Sequence, residues 1–298
     1  MRCLSLAVCA ALIGLAAPAV AQNLRPTDLD GMAAMAPSKV EAYGADPLQY
    51  GELRLPAGPG PFPVAVIIHG GCWTRGFATL RYMAPLASAL AAKGVATWNV
   101  EYRQLGDNEA GWPGTFLDWA AATDHLRALA QKHPLDLSRV IAVGHSAGAQ
   151  AALWLAARGR LPPTSAIRSG DPLKISAVVA IDGPVDLKAF IALDKYVCGK
   201  PVVSHLLGGS PEEVPGRYRE SSPIELLPSG IASVLVSSTV LPLVTAEKYR
   251  DVATALGDKV EVLPFKDAGH FDMLSSATPS GAAVETAILK AIGLRKPR

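Results

Sequence analysis

Charge is scarce and balanced in this sequence: 18% of its 298 residues are Asp, Glu, Lys or Arg, 28 basic against 26 acidic, for a net charge of +2. No basic run is present that could track a phosphate backbone, which argues against nucleic acid as a partner. Internal repeats and low-complexity tracts are missing as well. Cysteine is limited to four residues and aromatics to 6% of the chain. Beyond the first 21 residues no stretch approaches the ~18 uninterrupted apolar residues of a membrane-spanning helix. What is plentiful is apolar side chain, at 50%, with 27 Gly and 24 Pro to punctuate it. That is too apolar for a disordered chain and too aperiodic for a fibre, so a packed globular core is expected.

The single long apolar run lies at the start. Arg2 supplies one positive charge, Cys3 to Val20 is unbroken, and the run closes on Ala19-Val20-Ala21. This order predicts a secretory signal peptide over residues 1–21, cut before Gln22. A membrane anchor is the alternative, but the run is Ala-rich and exits through small residues instead of basic ones. The expected product is a single domain over 22–298, secreted or periplasmic, without stable membrane insertion. Removal of the leader takes Cys3 and Cys9 with it and leaves Cys72 and Cys198. Spacing alone leaves a disulfide and two buried thiols both open; an oxidising compartment favours the bridge.

Along the chain, short apolar runs alternate with helical patterns. Tyr50–Leu55 alternates like an outer strand, and Val64–Ile68 is a continuous apolar run of the kind buried on both faces of a parallel sheet. Strands are then expected at Val95–Val100, Arg139–Val143, Ile175–Ile181, Ile231–Ser237 and Val260–Phe265. Helices are expected around Tyr82–Lys93, Phe116–Lys132, Ala147–Ala157 and Ala246–Leu256. Such alternation implies right-handed crossovers and a doubly wound, mostly parallel α/β sheet. Residues 187–230 break the rhythm with five prolines, predicting a lid-like excursion over the C-terminal edge of the sheet, either a lid or a pocket wall, with an inert surface insertion the alternative. Asp118, Asp124 and Arg127 read as a solvated helix face, and Asp186 as a cap.

Three motifs carry chemistry. Strand Arg139–Val143 runs into Gly144-His145-Ser146-Ala147-Gly148 and then an Ala-rich helix, the strand–turn–helix context of a nucleophile elbow. His69-Gly70-Gly71-Cys72-Trp73 ends an earlier strand, where backbone N–H groups of Gly71 and Cys72, with Ala147, are candidate oxyanion donors. His270, in Gly269-His270-Phe271 after the last strand, is the candidate base, since a serine hydroxyl needs an imidazole within reach. His69 reads as structural.

These motifs, in this order from roughly Tyr50 to Leu289, resemble the α/β-hydrolase superfamily. The likeness is to bacterial BD-FAE (feruloyl esterase-like) and kynurenine formamidase-type esterases. Glu101-Tyr102-Arg103, Trp112-Pro113-Gly114 and the stretch from Cys198 to Leu227 also resemble that group. The resemblance implies an α/β-hydrolase fold, a Ser/His/acid triad, no metal or cofactor, and small ester or amide substrates. One residue departs from the pattern: Leu241 stands where such chains usually carry the triad Asp, and leucine cannot hold an imidazole. Three accounts remain open. Asp182, at the end of the preceding strand, has taken over the role; or Glu247, Asp267 or Asp272 serves; or the acid is lost, leaving a Ser-His dyad or a silent binding protein.

Trp73, Arg75, Trp112 and Tyr82 lie in or near loops expected beside the sheet edge; Trp73, Arg75 and Trp112 are candidates for substrate binding, with core filling the alternative for the tryptophans and a solvated side chain the alternative for Arg75. The expectation is a secreted serine carboxylesterase acting on a small-molecule ester through an acyl-enzyme. Ser146 is the nucleophile, His270 the base and Asp182 the acid. An exopeptidase or acyltransferase on the same triad is the alternative enzyme.

Overall fold

The computed structural model describes residues 23–294, so the expected leader lies outside the described residues. Eight strands are formed: β1 (Lys39–Ala42), β2 (Tyr50–Arg54), β3 (Phe62–Ile68), β4 (Ala96–Val100), β5 (Leu135–His145), β6 (Ala177–Ile181), β7 (Ala232–Ser237) and β8 (Val260–Pro264). They make one sheet in the order β1-β2-β4-β3-β5-β6-β7-β8. β1 and β2 pair antiparallel, β2 pairs antiparallel to β4, and every pairing from β4 to β8 is parallel. From β3 the chain winds to β4 on one side and then to β5 on the other. The crevice beyond the C-terminal ends of β3 and β5 is therefore the place where an open parallel sheet takes ligands.

The continuous apolar pattern of β3 is explained by cover on both faces: all seven of its residues are buried. Val64, Val66 and Ile68 join a core with Phe116, Trp119 and Trp154; Ala65 and Ile67 face the opposite core with Leu86, Leu90 and Ile288. Each large aliphatic so buried contributes roughly 1.5–3 kcal/mol. This double anchoring holds the strand ends, and hence the loops after them, in place.

Some elements differ from expectation. The helix expected at Phe116–Lys132 is two, Gly114–Asp124 and Leu126–Ala130. β5 starts four residues early, at Leu135, because its pairing to β3 shifts register between Pro63 and Val64. The excursion at 187–230 is a packed wall and not a hinged flap. It folds into helices Leu187–Cys198, Val203–Leu207 and Pro215–Ser221, and buries Leu187, Phe190 and Leu206 in the main core. Buried polar bonds stitch it down: Gln150 Nε2 donates to Ser221 O at 2.8 Å, Trp154 Nε1 to Glu220 O at 3.0 Å, and Trp112 N to Leu206 O at 2.7 Å. Asp186 caps the first of these helices by accepting the Ala189 N–H at 3.0 Å. A disulfide joins Cys72 to Cys198 across 126 residues. Among the described residues no helix is long and apolar enough to cross a membrane.

Candidate active site

Ser146 sits between the last residue of β5 and the first of helix Ala147–Ala157, with φ 56° and ψ −122°. A non-glycine residue pays roughly 1–3 kcal/mol for such a conformation and keeps it only when its surroundings impose it. Here Ser146 N–H donates to Ile181 O at 2.8 Å and Ser146 O accepts from Ala149 N–H at 2.9 Å. The flanking glycines are required by contact: a Cβ on Gly144 would lie 1.8 Å from Gly148 O, and one on Gly148 2.1 Å from Ile68 O. Ser146 thereby faces a cavity of about 350 Å³ shared with Gly71, Cys72 and His270.

His270 Nδ1 lies 2.5 Å from Asp182 Oδ2. A carboxylate only accepts, so Nδ1 carries a proton, which in the neutral ring leaves the lone pair on Nε2. Asp182 follows Ile181 directly, and Ile181 is the residue bonded to Ser146 N–H, so the serine and the carboxylate hang from neighbouring strand ends. Its side chain is buried, and Ser238 saturates it: the Ser238 N–H donates to Oδ1 at 3.0 Å and the Ser238 hydroxyl to Oδ2. The other carboxylates are employed elsewhere. Asp272 accepts the N–H groups of Leu24 and Gly269 at 2.8 and 2.9 Å, Asp267 faces solvent, and Glu247 lies on helix Leu243–Ala255 without a bond to His270. Leu241 is buried and shares a small cavity with Asp182.

On the other side, Gly71, Cys72 and Trp73 are three consecutive residues with positive φ, at 105°, 53° and 52°. Among the described residues the N–H groups of Gly71, Cys72 and Ala147 meet no acceptor, whereas that of Gly70 donates to the Tyr82 hydroxyl. A buried lattice holds the loop. His69 Nδ1 donates to Gly70 O at 2.7 Å, and its Nε2 lies 2.7 Å from Glu101 Oε1. Glu101 also accepts the N–H groups of Leu80 and Tyr102, both at 3.1 Å. Burial pushes the Glu101 carboxyl up, but the His69 ring and these two N–H groups outweigh it and hold the group below its ordinary value. The Cys72–Cys198 disulfide ties the same loop to the helix whose Val197 lines the cavity.

The three expected substrate-binding residues are not brought to the cavity. Trp73 is buried, donating to Gln150 Oε1 at 3.3 Å and packed on Phe190, because its ring fills the gap under helix Leu187–Cys198. Arg75 points to solvent, 3.5 Å from Asp107. Trp112 packs on Phe116 beneath the Arg217 guanidinium. Asp118 is likewise no surface residue: buried, it takes Arg103 bidentately at 2.7 and 2.9 Å. The cavity wall is instead Phe77, Val197, Val240 and Phe271. Phe271 and Val197 adjoin residues the sequence singles out, His270 and Cys198. Ser238 and Val240 gave no signal, being small or apolar residues in a loop read only for its missing acid.

The strand order, the elbow, and a Ser/His/Asp set gathered at the sheet edge define the chain as an α/β-hydrolase. Residues 53–248 match the BD-FAE family model, and the chain belongs to that family. It is 27% identical over 248 residues to esterase LipC of Mycobacterium tuberculosis, covering 79% of this chain and spanning 60% of that relative's length. Similar solved structures include a truncated carbohydrate esterase from gut microbiota, with TM-score 0.71 and 20% identity over 87% of this chain and 97% of that one. Thermogutta terrifontis esterase 2 with propionate bound has TM-score 0.70 and 17% identity, covering 87% and 96%. Identities this low speak for the fold alone.

Proposed function

We propose that the chain is an exported serine carboxylesterase cleaving small esters with an apolar acyl or aryl group. The observation that carries this reading is the 2.5 Å His270–Asp182 pair opening on the cavity that exposes Ser146. In this reading Ser146 Oγ attacks the ester carbonyl while His270 Nε2 takes its proton. Asp182 holds the ring in the productive tautomer and stabilises the imidazolium. The free N–H groups of Gly71, Cys72 and Ala147 stabilise the oxyanion, each such donor being worth about 10² to 10³ in rate. The proton passes to the leaving alkoxide, an acyl-Ser146 forms, and water activated by the same imidazole releases the acid.

Phe77, Val197, Val240 and Phe271 give the cavity its apolar character, which favours an uncharged acyl or aryl group. Export is supported by the Arg2-then-apolar leader and by the disulfide of the two remaining cysteines. Ser146→Ala tests the reading: p-nitrophenyl acetate hydrolysis and fluorophosphonate labelling are both expected to vanish. Retained turnover in that variant would remove Ser146 from the mechanism.

A further inference from the structure

Two buried residues between the halves of the site are left without a task by the triad and the oxyanion donors. Tyr82 and His145 are 1% and 0% exposed. The Gly70 N–H donates to Tyr82 Oη, Tyr82 Oη lies 2.9 Å from His145 Nδ1, and His145 Nε2 lies 2.9 Å from the carbonyl oxygen of His270. The polarity of this chain is determined by its ends. A carbonyl oxygen only accepts, so His145 Nε2 carries the proton; Nδ1 is then an acceptor and takes the Tyr82 hydroxyl proton; the Tyr82 oxygen in turn receives the Gly70 N–H. No other arrangement of protons satisfies all the groups of a neutral ring.

Neutrality of that ring matters. An imidazolium at His145 would leave the Tyr82 proton without an acceptor. It would also put a cation 4.4 Å, centroid to centroid, from the His270 ring, which becomes charged when it acts as base. Burial and the nearby His270 hold the His145 imidazole well below its ordinary value. The polar groups facing it are Tyr82 and His270, with Glu101 and Asp30 beyond Tyr82 and the Phe271 ring sealing one side.

We infer that Tyr82 and His145 are positioning residues, a proton-ordered strut that ties the loop presenting Gly71 and Cys72 to the backbone of the base His270, across Ser146. The catalytic part of this inference rests on the esterase reading. Displacing a reacting group by about 1 Å can cost about 10²-fold, so a strut of this kind acts on kcat.

The test combines kinetics with a spectrum. Tyr82→Phe keeps the ring and removes only the hydroxyl; it is expected to lower kcat on p-nitrophenyl acetate about tenfold or more, with KM within about twofold. His145→Leu should do the same, and the double variant should lose no more than either single, because one chain broken twice is still one break. His145→Gln, which carries both an amide donor and a carbonyl acceptor, should restore most of the loss seen with Leu. Unchanged kcat in Tyr82→Phe, multiplying losses in the double variant, or Gln behaving like Leu overturns the strut. In the wild-type protein the imidazole ¹H–¹⁵N spectrum should show His145 protonated at Nε2 alone through the range in which an ordinary imidazole titrates, around pH 6.5. A proton on Nδ1, or titration within that range, also overturns it. A wild-type chain that neither hydrolyses the ester nor takes a fluorophosphonate defeats the esterase reading instead, and leaves the spectrum to decide the strut.

Discussion

On one flank of Ser146, toward β3 and β4, a closed polar lattice runs from Glu101 through His69 and Gly70 to Tyr82 and His145, all of it buried and tied by backbone acceptors. On the other flank, toward β6 and β7, a single carboxylate meets a single ring, and the loop beyond β7 contributes Ser238 to that carboxylate but Val240 and Leu241 to apolar walls. The difference follows from what each flank must deliver. Oxyanion donors are main-chain N–H groups, whose direction is set by several consecutive dihedrals, so the whole loop must be immobilised. The acid is one oxygen at Nδ1, which a side chain from either of two adjacent strand ends can supply.

Breaking the comparison at its simplest point should have the greatest effect. Asp182→Asn is expected to lower kcat by ~10⁴, because an amide can present N–H to Nδ1 and favour the wrong tautomer. A fall of less than about tenfold in steady-state hydrolysis would return the role to another group. Next is the link between the loop of Gly71 and Cys72 and the cavity wall. Cys198→Ser should lower unfolding free energy by about 5 kcal/mol in urea titrations, since the bridge spans 126 residues and long closed loops constrain the unfolded chain most. Gly71→Ala should then cost about 10² to 10³ in kcat with the fold retained: its φ is 105° and the new methyl would stand 3.1 Å from Ala78 Cβ. A near-normal kcat would show that the lattice does not hold the donors in place.

The smallest effect is a slope. The folded chain keeps His145 unprotonated, whereas the unfolded chain binds a proton there below about pH 6.5. Acidification therefore favours unfolding: the contribution is complete above that pH and is lost below it at about 1.4 kcal/mol per unit. His145→Gln should flatten the stability profile in that window. An identical slope in the variant would assign the acid sensitivity to another group.

What could be read from residues alone followed the same division. The strand–elbow–helix around Ser146 was legible because glycine spacing and apolar runs are local, and Asp182 was legible as an acid ending a buried strand. β1 was missed, since four mostly exposed residues carry no periodicity. Prolines left the excursion readable as either a lid or a pocket wall; its cohesion as a wall comes from Phe190, Leu206 and Tyr218 reaching a distant core. Trp73 and Trp112 read equally as pocket aromatics or core filling, for want of any sign that a helix would land on one and Arg217 on the other. Tyr82 was unreadable as a partner of His145, 63 residues away.

Housing the carboxylate just past the end of β6 has a consequence for how such a chain diversifies. Residues 239–245 offer no hydrogen bond to the His270 ring, and Val240 lines the cavity that Ser146 faces. In the proposed reading, side-chain changes at Val240 would therefore shift acyl selectivity while the Asp182–His270 pair stays in place.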